Sequence, residues 1–366
     1  MSPLEAAIAR AKSINTGKPF LVSTICGMLT GYDAKWSGLQ HEIELLEVEK
    51  TYFSDLPNLH TNGKSRTFRL AGIVDKVGRR DGITIYDHKT TSSDIEDPNA
   101  TYWRQLEIEG QPSQYELLLH ANGIEVDRVV WDVARKPTIK PKGVAKKEVA
   151  ALASAGRYCG REFDSSIAVE GMRETPEMFE ARVAQQCVDQ PHRFFQRRGV
   201  KRTREELTEY VGELWDIGQE IIAARRGSRW YRNSGSCMQY GSPCEFLGIC
   251  SGYDSVDSDR WVDKGCVHEE LDVNGDGRDL LTNSRVRCYQ TCRRKHFYKY
   301  ELGIKRADEE EREPLFFGSL WHDCLDVYWN ASFSEVNDGC YSGTPANEVV
   351  GPVVGPVSGE SQGLPF

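Results

Sequence analysis

Nothing in this 366-residue chain approaches the roughly 18 consecutive apolar residues that a membrane-spanning helix needs, and no basic segment followed by an apolar run opens it. Both absences argue against a helical membrane protein and make the cytoplasm the expected location. Positive charge is also short: 46 Lys and Arg stand against 55 Asp and Glu, a net charge of -9. That balance argues against general coating of nucleic acid but not against a local basic channel, because phosphate binding depends on where cations cluster. Internal repeats are missing too. The Asp-rich stretch "DVNGDG" from Asp272 has Asn283 at its twelfth position, where a calcium-binding EF-hand needs Glu, so it reads as linker. Cysteine, by contrast, is plentiful at eleven residues. Without an export signal, metal ligation is a better use for them than disulfides.

Periodicity divides the chain. Helices are expected at 3–13, 18–40, roughly Tyr102–Asn122, 176–226, 284–300 and 315–330, and strands in "EIELLEVEKTYF", "TFRLAGIVDKV", "ITIYDHKTT" and "RVVWDVARKP". The segments assort into a core over 1–255, a linker at 256–281, a second block at 282–330 that completes the core, and a Gly-, Pro- and Ser-rich tail at 331–366 expected to be disordered.

Chemistry concentrates in "AGIVDKV … ITIYDHKT". Asp75 ends one strand, and Asp87 and Lys89 lie on the next. Alternation along a strand sends Asp87 and Lys89 to one face and His88 to the other. Two neighbouring carboxylates form a hard oxygen site suited to Mg²⁺ or Mn²⁺. A Lys two residues on can orient water and offset charge building on a phosphoryl group. Read without context, the same residues make an ordinary hairpin, but Ile83 and Ile85 put the charged pair at the edge of a core. Further on, Gln111 and Tyr115 share a helical face at i and i+4. "CMQYGSPCEFLGIC" gathers Cys237, Cys244 and Cys250 around Gly and Pro turns, a thiolate set for zinc or an iron–sulfur centre with one ligand missing. Two basic clusters complete the inventory. Arg293, Arg294, Lys295 and Lys299 interleave with His296, Phe297, Tyr298 and Tyr300, a mix suited to single-stranded nucleic acid. Arg197, Arg198, Lys201, Arg202 and Arg204 form the other; each could equally be a solvated helix face.

The succession "GIVDKV", "YDHKTT" and "QPSQY" resembles the PD-(D/E)XK nuclease superfamily, in particular its RecB-like iron–sulfur branch of phage and CRISPR-associated exonucleases. The resemblance implies a restriction-endonuclease-like α/β core, a central mixed sheet flanked by helices, with a cysteine-rich iron–sulfur subdomain. It implies that Asp75, Asp87, Lys89, Gln111 and Tyr115 are catalytic, and that Cys292 of "TCRRKHFYKY" is the fourth thiolate of a [4Fe-4S] cluster, with Cys288 as alternative and Zn²⁺ as the other metal. Gly318 and His322 of "GSLWH" match a Gly-x-x-x-His helix. His322 would then join Asp75, Asp87 and the His88 backbone carbonyl around the metal, and an imidazole ligand tilts preference toward Mn²⁺.

The order departs from the family's, because its first segment stands last here. This implies a circular permutation, a swapped dimer, or an incomplete site. The expected activity is metal-dependent DNA hydrolysis, exonucleolytic rather than endonucleolytic, on single strands or duplex ends, in recombination or repair with a possible helicase partner. The alternative is a non-catalytic DNA-binding protein that retains the metal cluster.

Overall fold

The computed structural model describes residues 1–14, 17–40, 42–61, 63–239, 242–265, 271, 277–307 and 313–338. It begins with helices α1 (Pro3–Ser13) and α2 (Pro19–Gln40), then strands β1 (Glu44–Asn58), β2 (Gly63–Arg79) and β3 (Ile83–Thr91). Helices α3 (Thr101–Glu107) and α4 (Gln111–Ala121) lead to β4 (Arg128–Arg135), α5 (Lys146–Ala155) and the hairpin β5 (Arg157–Tyr158) and β6 (Arg161–Glu162). Then come α6 (Pro176–Asp189), α7 (Pro191–Phe194), β7 (Phe195–Val200) and α8 (Arg204–Gly227). The cysteine-rich stretch holds β8 (Met238–Gln239), β9 (Ser242–Pro243), α9 (Leu247–Ser251) and β10 (Trp261–Asp263). The last block runs β11 (Asp279–Leu281), α10 (Asn283–Thr291), α11 (Arg293–His296), β12 (Ile304–Arg306) and α12 (Glu313–Asp338).

The main sheet runs β1-β2-β3-β4-β7, with β11 attached to β2. Strand β1 pairs antiparallel with β2 from Glu44↔Arg79 to Asn58↔Gly63, occupying one edge of β2. The other edge is shared. Its C-terminal part, Lys76 to Arg79, pairs antiparallel with β3, and Phe68 to Leu70 pair parallel with β11. Residues 71–75 on that edge therefore face neither strand, and the sheet has a gap there. Helices cover both faces. One core joins α1, α2, α6 and α12 around Tyr32, Phe195 and Trp321; the other packs α4, α8 and α10 on Phe68, Val74, Ile85 and Leu214.

Expected helices were interrupted in three places, each for a visible reason. The Tyr102–Asn122 stretch breaks into α3 and α4 at Gly110, which abuts the Tyr210 ring, with Pro112 opening α4. Pro191 ends α6, and β7 then pairs with β4, so 176–226 is two long helices with a strand between them. In 284–300, α10 gives way at Cys292 to α11 and a π-turn over Phe297–Glu301. Helix α12 also continues past Ser332 to Asp338, into the stretch expected to be a disordered tail. The stretch read as linker contains β10 and β11, and its residues 266–270 and 272–276 lie outside the described residues, as do Cys340 and the end of the tail.

Helix α2 meets α6 through glycines one turn apart. A Cβ on Gly27 would sit 2.7 Å from Cβ of Val183, and one on Gly31 would collide with Cys187. Gly31→Ala is expected to lower unfolding stability by about 1–3 kcal/mol, read as a lower urea midpoint with unchanged slope.

Candidate metal centre

The gap on the β2 edge is a cleft of about 410 Å³, lined by Gly72, Asp75, Lys89, Gln111, Tyr115 and Asn283, among others. Its two ends are closed by side chains substituting for a ladder. At one end the His88 N–H donates to Asp75 Oδ2 at 2.7 Å. At the other, Gln114 Nε2 of α4 donates to the carbonyls of Ala71 and Leu281, both at 3.0 Å, tying β2 to β11. A buried backbone acceptor left without such a partner would be costly.

Asp87 and Lys89 share a face of β3 as alternation requires, and they form an ion pair. Asp87 is 1% exposed, its Oδ1 without a hydrogen-bond partner and its Oδ2 facing the Lys89 ammonium. Burial pushes its carboxyl up to about 6, the Lys89 charge opposing that shift and Asp75 adding to it. From α4, Gln111 Nε2 donates to the Tyr115 hydroxyl at 2.7 Å, and Tyr115 has Asp75 and Asp87 as electrostatic neighbours. From α12, on the opposite face of the sheet, His322 brings Nδ1 to 3.7 Å from Asp75 Oδ2. Gly318 permits this, since a Cβ there would sit 3.4 Å from Thr90 Oγ1 on β3. Burial and the neighbouring His88 and Lys89 lower His322 to about 4, so at neutral pH its ring is uncharged and free to act as a ligand.

Sequence reasoning missed Glu49. Its ligand atoms lie within 4.8 Å of those of Asp75 and His322, and among the described residues this is the group of three or more His, Cys, Asp or Glu that could hold a metal ion. Although Glu49 as a residue is exposed at the cleft mouth, removal of its carboxyl from water and the nearby Asp75, Asp326 and Asp87 push it up to about 8. Its φ of 46° is a left-handed conformation unusual for Glu within a strand. The only sequence signal was its place in a strand next to the one carrying Asp75. A hard divalent ion fits this donor set of carboxylates and one imidazole, with the buried, unpaired Asp87 oxygen beside it.

His88 turns its ring away from the cleft, as alternation predicted, to 3.5 Å from Asp132, while its backbone hydrogen bonds with the His322 ring. The cysteines cluster elsewhere. Asn233 links two of them: its N–H donates to Cys292 Sγ at 3.3 Å, and its carbonyl accepts from Cys237 Sγ at 3.7 Å. The Cys244 N–H donates to the Cys237 carbonyl at 2.8 Å, and Cys244 and Cys250 pack on Phe246 and Tyr298. Lys295 neighbours Cys244 and Cys288.

Most of the expected nucleic-acid cations are engaged internally. Arg293 pairs with Glu220, Arg294 donates to the Trp230 carbonyl, and Lys295 pairs with Glu245 at 3.0 Å, while Lys299 lies 5.8 Å over Tyr300. In the second cluster Arg197 is buried against Asp132, Arg198 donates to the Pro98 carbonyl and Arg202 to that of Glu109.

A model of the PD-(D/E)XK nuclease superfamily matches residues 6–251 and 281–348. The chain belongs to that superfamily. Its members are nucleases that in general depend on divalent metal ions. Neither a comparison with curated proteins nor one with solved structures found a match. No helix among the described residues is long and apolar enough to cross a membrane.

If Glu49 contributes a ligand, Glu49→Gln should weaken Mn²⁺ binding about tenfold or more in calorimetry without DNA, with the melting temperature of the metal-free protein little changed. Unaltered Mn²⁺ affinity would remove Glu49 from the ligand set.

Proposed function

We propose that this protein is a divalent-metal-dependent deoxyribonuclease that hydrolyses phosphodiester bonds in DNA, acting as an exonuclease in phage or bacterial recombination and repair. The observation carrying the reading is convergence. Asp75 and Lys89 from the sheet and Gln111 and Tyr115 from α4 line one cleft, with Asp87 paired to Lys89 and His322, from the far end of the chain, 3.7 Å from Asp75. Asp75, Asp87, Glu49 and His322, with the His88 carbonyl, would hold Mg²⁺ or Mn²⁺. Such an ion supplies Lewis-acid polarisation of the phosphoryl oxygens. Lys89, steadied by Asp87, orients the attacking water and offsets charge developing on the phosphoryl group. The Gln111–Tyr115 pair fixes the α4 wall against which the strand lies. Exonucleolytic action and the recombination or repair setting, with a possible helicase partner, carry over from the resemblance.

The second half of the reading is a [4Fe-4S] cluster on Cys237, Cys244, Cys250 and Cys292. Asn233 bridging Cys237 and Cys292 supports the fourth ligand. No three cysteines among the described residues bring their sulfurs within 4.8 Å of one another. The same reading makes the motif order a circular permutation, with 282–330 completing the core of 1–255. Strand β11 on β2 and the α1–α12 packing, including Arg10–Asp323 at 2.9 Å, support it.

Lys89→Ala should reduce Mg²⁺- or Mn²⁺-dependent cleavage of end-labelled DNA by about 10² or more while DNA binding persists, and chelation should silence the wild type. Equal background cleavage by both proteins would sink the enzyme reading. Anaerobically purified protein should be brown and absorb broadly near about 400 nm; a colourless, zinc-containing protein would replace the cluster by zinc.

A further inference from the structure

On the sheet face opposite Asp87 and Lys89, three buried ionisable side chains stand in one cross-strand row. His88 of β3 is in register with Asp132 of the parallel β4, and Asp132 with Arg197 of the antiparallel β7. Their side chains are 4%, 1% and 12% exposed. His88 Nδ1 lies 3.5 Å from Asp132 Oδ2, and Arg197 Nη2 reaches the same oxygen at 3.0 Å. The Tyr32 hydroxyl of α2 donates to Asp132 Oδ2 at 2.6 Å, and Arg197 stacks 4.2 Å over Trp36. Although burial alone would raise it, Arg197 and His88 hold the Asp132 carboxyl well below the usual range, so it is an anion at any working pH.

Such a row is an expensive way to hold a sheet together, since buried ion pairs are often no more stabilising than well-packed apolar residues. Its placement is informative. The backbone of His88 touches two of the candidate ligands: its N–H donates to Asp75 Oδ2 at 2.7 Å, and its backbone hydrogen bonds with the His322 ring. The His88 ring thus faces the Asp132 carboxylate at 3.5 Å on one side of the sheet, while its main chain contacts Asp75 and the His322 ring on the other. Beyond Lys76↔Tyr86 the β2–β3 pairing ends, so no further ladder fixes this stretch of β3 against β2. There β3 is held from its other edge, by the ladder to β4 that continues to Thr91↔Arg135 and by the Asp132–His88 contact across it.

We propose that Asp132, with Arg197 and Tyr32, is a positioning group for the metal centre, acting through the His88 side chain on the His88 backbone and so on Asp75 and His322. The inference rests on the nuclease reading, but its first measurement does not need turnover. Asp132→Asn should raise the Mn²⁺ dissociation constant about 10–100-fold in calorimetry without DNA. It should lower kcat on a single-stranded oligonucleotide while leaving KM within about twofold.

The double variant Asp132→Leu/Arg197→Met replaces the pair by apolar groups of similar bulk and is expected to keep its melting temperature. It should still lose Mn²⁺ affinity. A double variant that melts like the wild type and binds Mn²⁺ equally well would show the row to be merely structural and overturn the proposal. Should the double variant fail to fold, Tyr32→Phe, which removes one hydrogen bond and no charge, decides the matter. A loss of Mn²⁺ affinity of about threefold is expected, and no change counts against positioning. Wild type that binds no Mn²⁺ would overturn this inference and the metal-centre reading together. Wild type that binds Mn²⁺ but cleaves no DNA would overturn the nuclease reading alone.

Discussion

The shared edge of β2 governs this structure. Because β1 takes one edge completely, β3 and β11 must divide the other, and neither reaches residues 71–75. A sheet with a hole exposes backbone groups that need partners, and here side chains provide them: Gln114 for the Ala71 carbonyl and Asp75 for the His88 amide. The same hole lets a helix from each face of the sheet address the same carboxylates. Tyr115 comes from one layer and His322 from the other, an arrangement a continuous sheet would forbid.

The second half of the site depends on the last described segment of the chain. Strand β11 is only three residues long, but it sets where α10 begins, and Asn283 of that helix lines the cleft. Helix α12 is held by apolar packing rather than by the site: Trp321 is fully buried against Tyr32 and Phe195, and the Tyr328 hydroxyl donates to Asp33 at 2.7 Å. His322 is therefore positioned by packing that lies outside the cleft. The ligands converge because folding brings them together, which lowers the ordering cost of binding.

Much of this was legible from residue order. Period-two alternation separated Asp87 and Lys89 from His88, and i, i+4 spacing paired Gln111 with Tyr115; both are local rules that tertiary context did not override. Gly318 and His322 could be singled out only through resemblance, because nothing local says which strand a helix 230 residues away will meet. Glu49 was hidden for the same reason: its role depends on strand register and on a left-handed φ, neither written in composition. Helix ends were misread where Gly110 and Pro191 signalled breaks inside otherwise periodic stretches. The basic clusters show a further limit of residue order. Charge counts do not reveal that Arg293 and Lys295 have Glu220 and Glu245 as partners, or that Arg197 lies beneath the sheet.

Electrostatics then bears on what the cleft accepts. Glu49, Asp75, Asp87 and Asp326 lie close together, Lys89 and Arg287 are the cations lining the cleft, and His322 is neutral near pH 7. Burial and mutual repulsion already drive Glu49 up to about 8 and Asp87 up to about 6, so the carboxylates hold protons more tightly than water would allow. A phosphodiester brought into that field meets like charge at close range, where a low local dielectric makes repulsion strong. At neutral pH Glu49 still holds its proton, so a divalent cation bound there would displace it. Only the cation leaves the carboxylates ionised and Lys89 free to face the phosphate. The acidic crowding that would repel a phosphate is thus the same property that suits the cleft to a divalent ion.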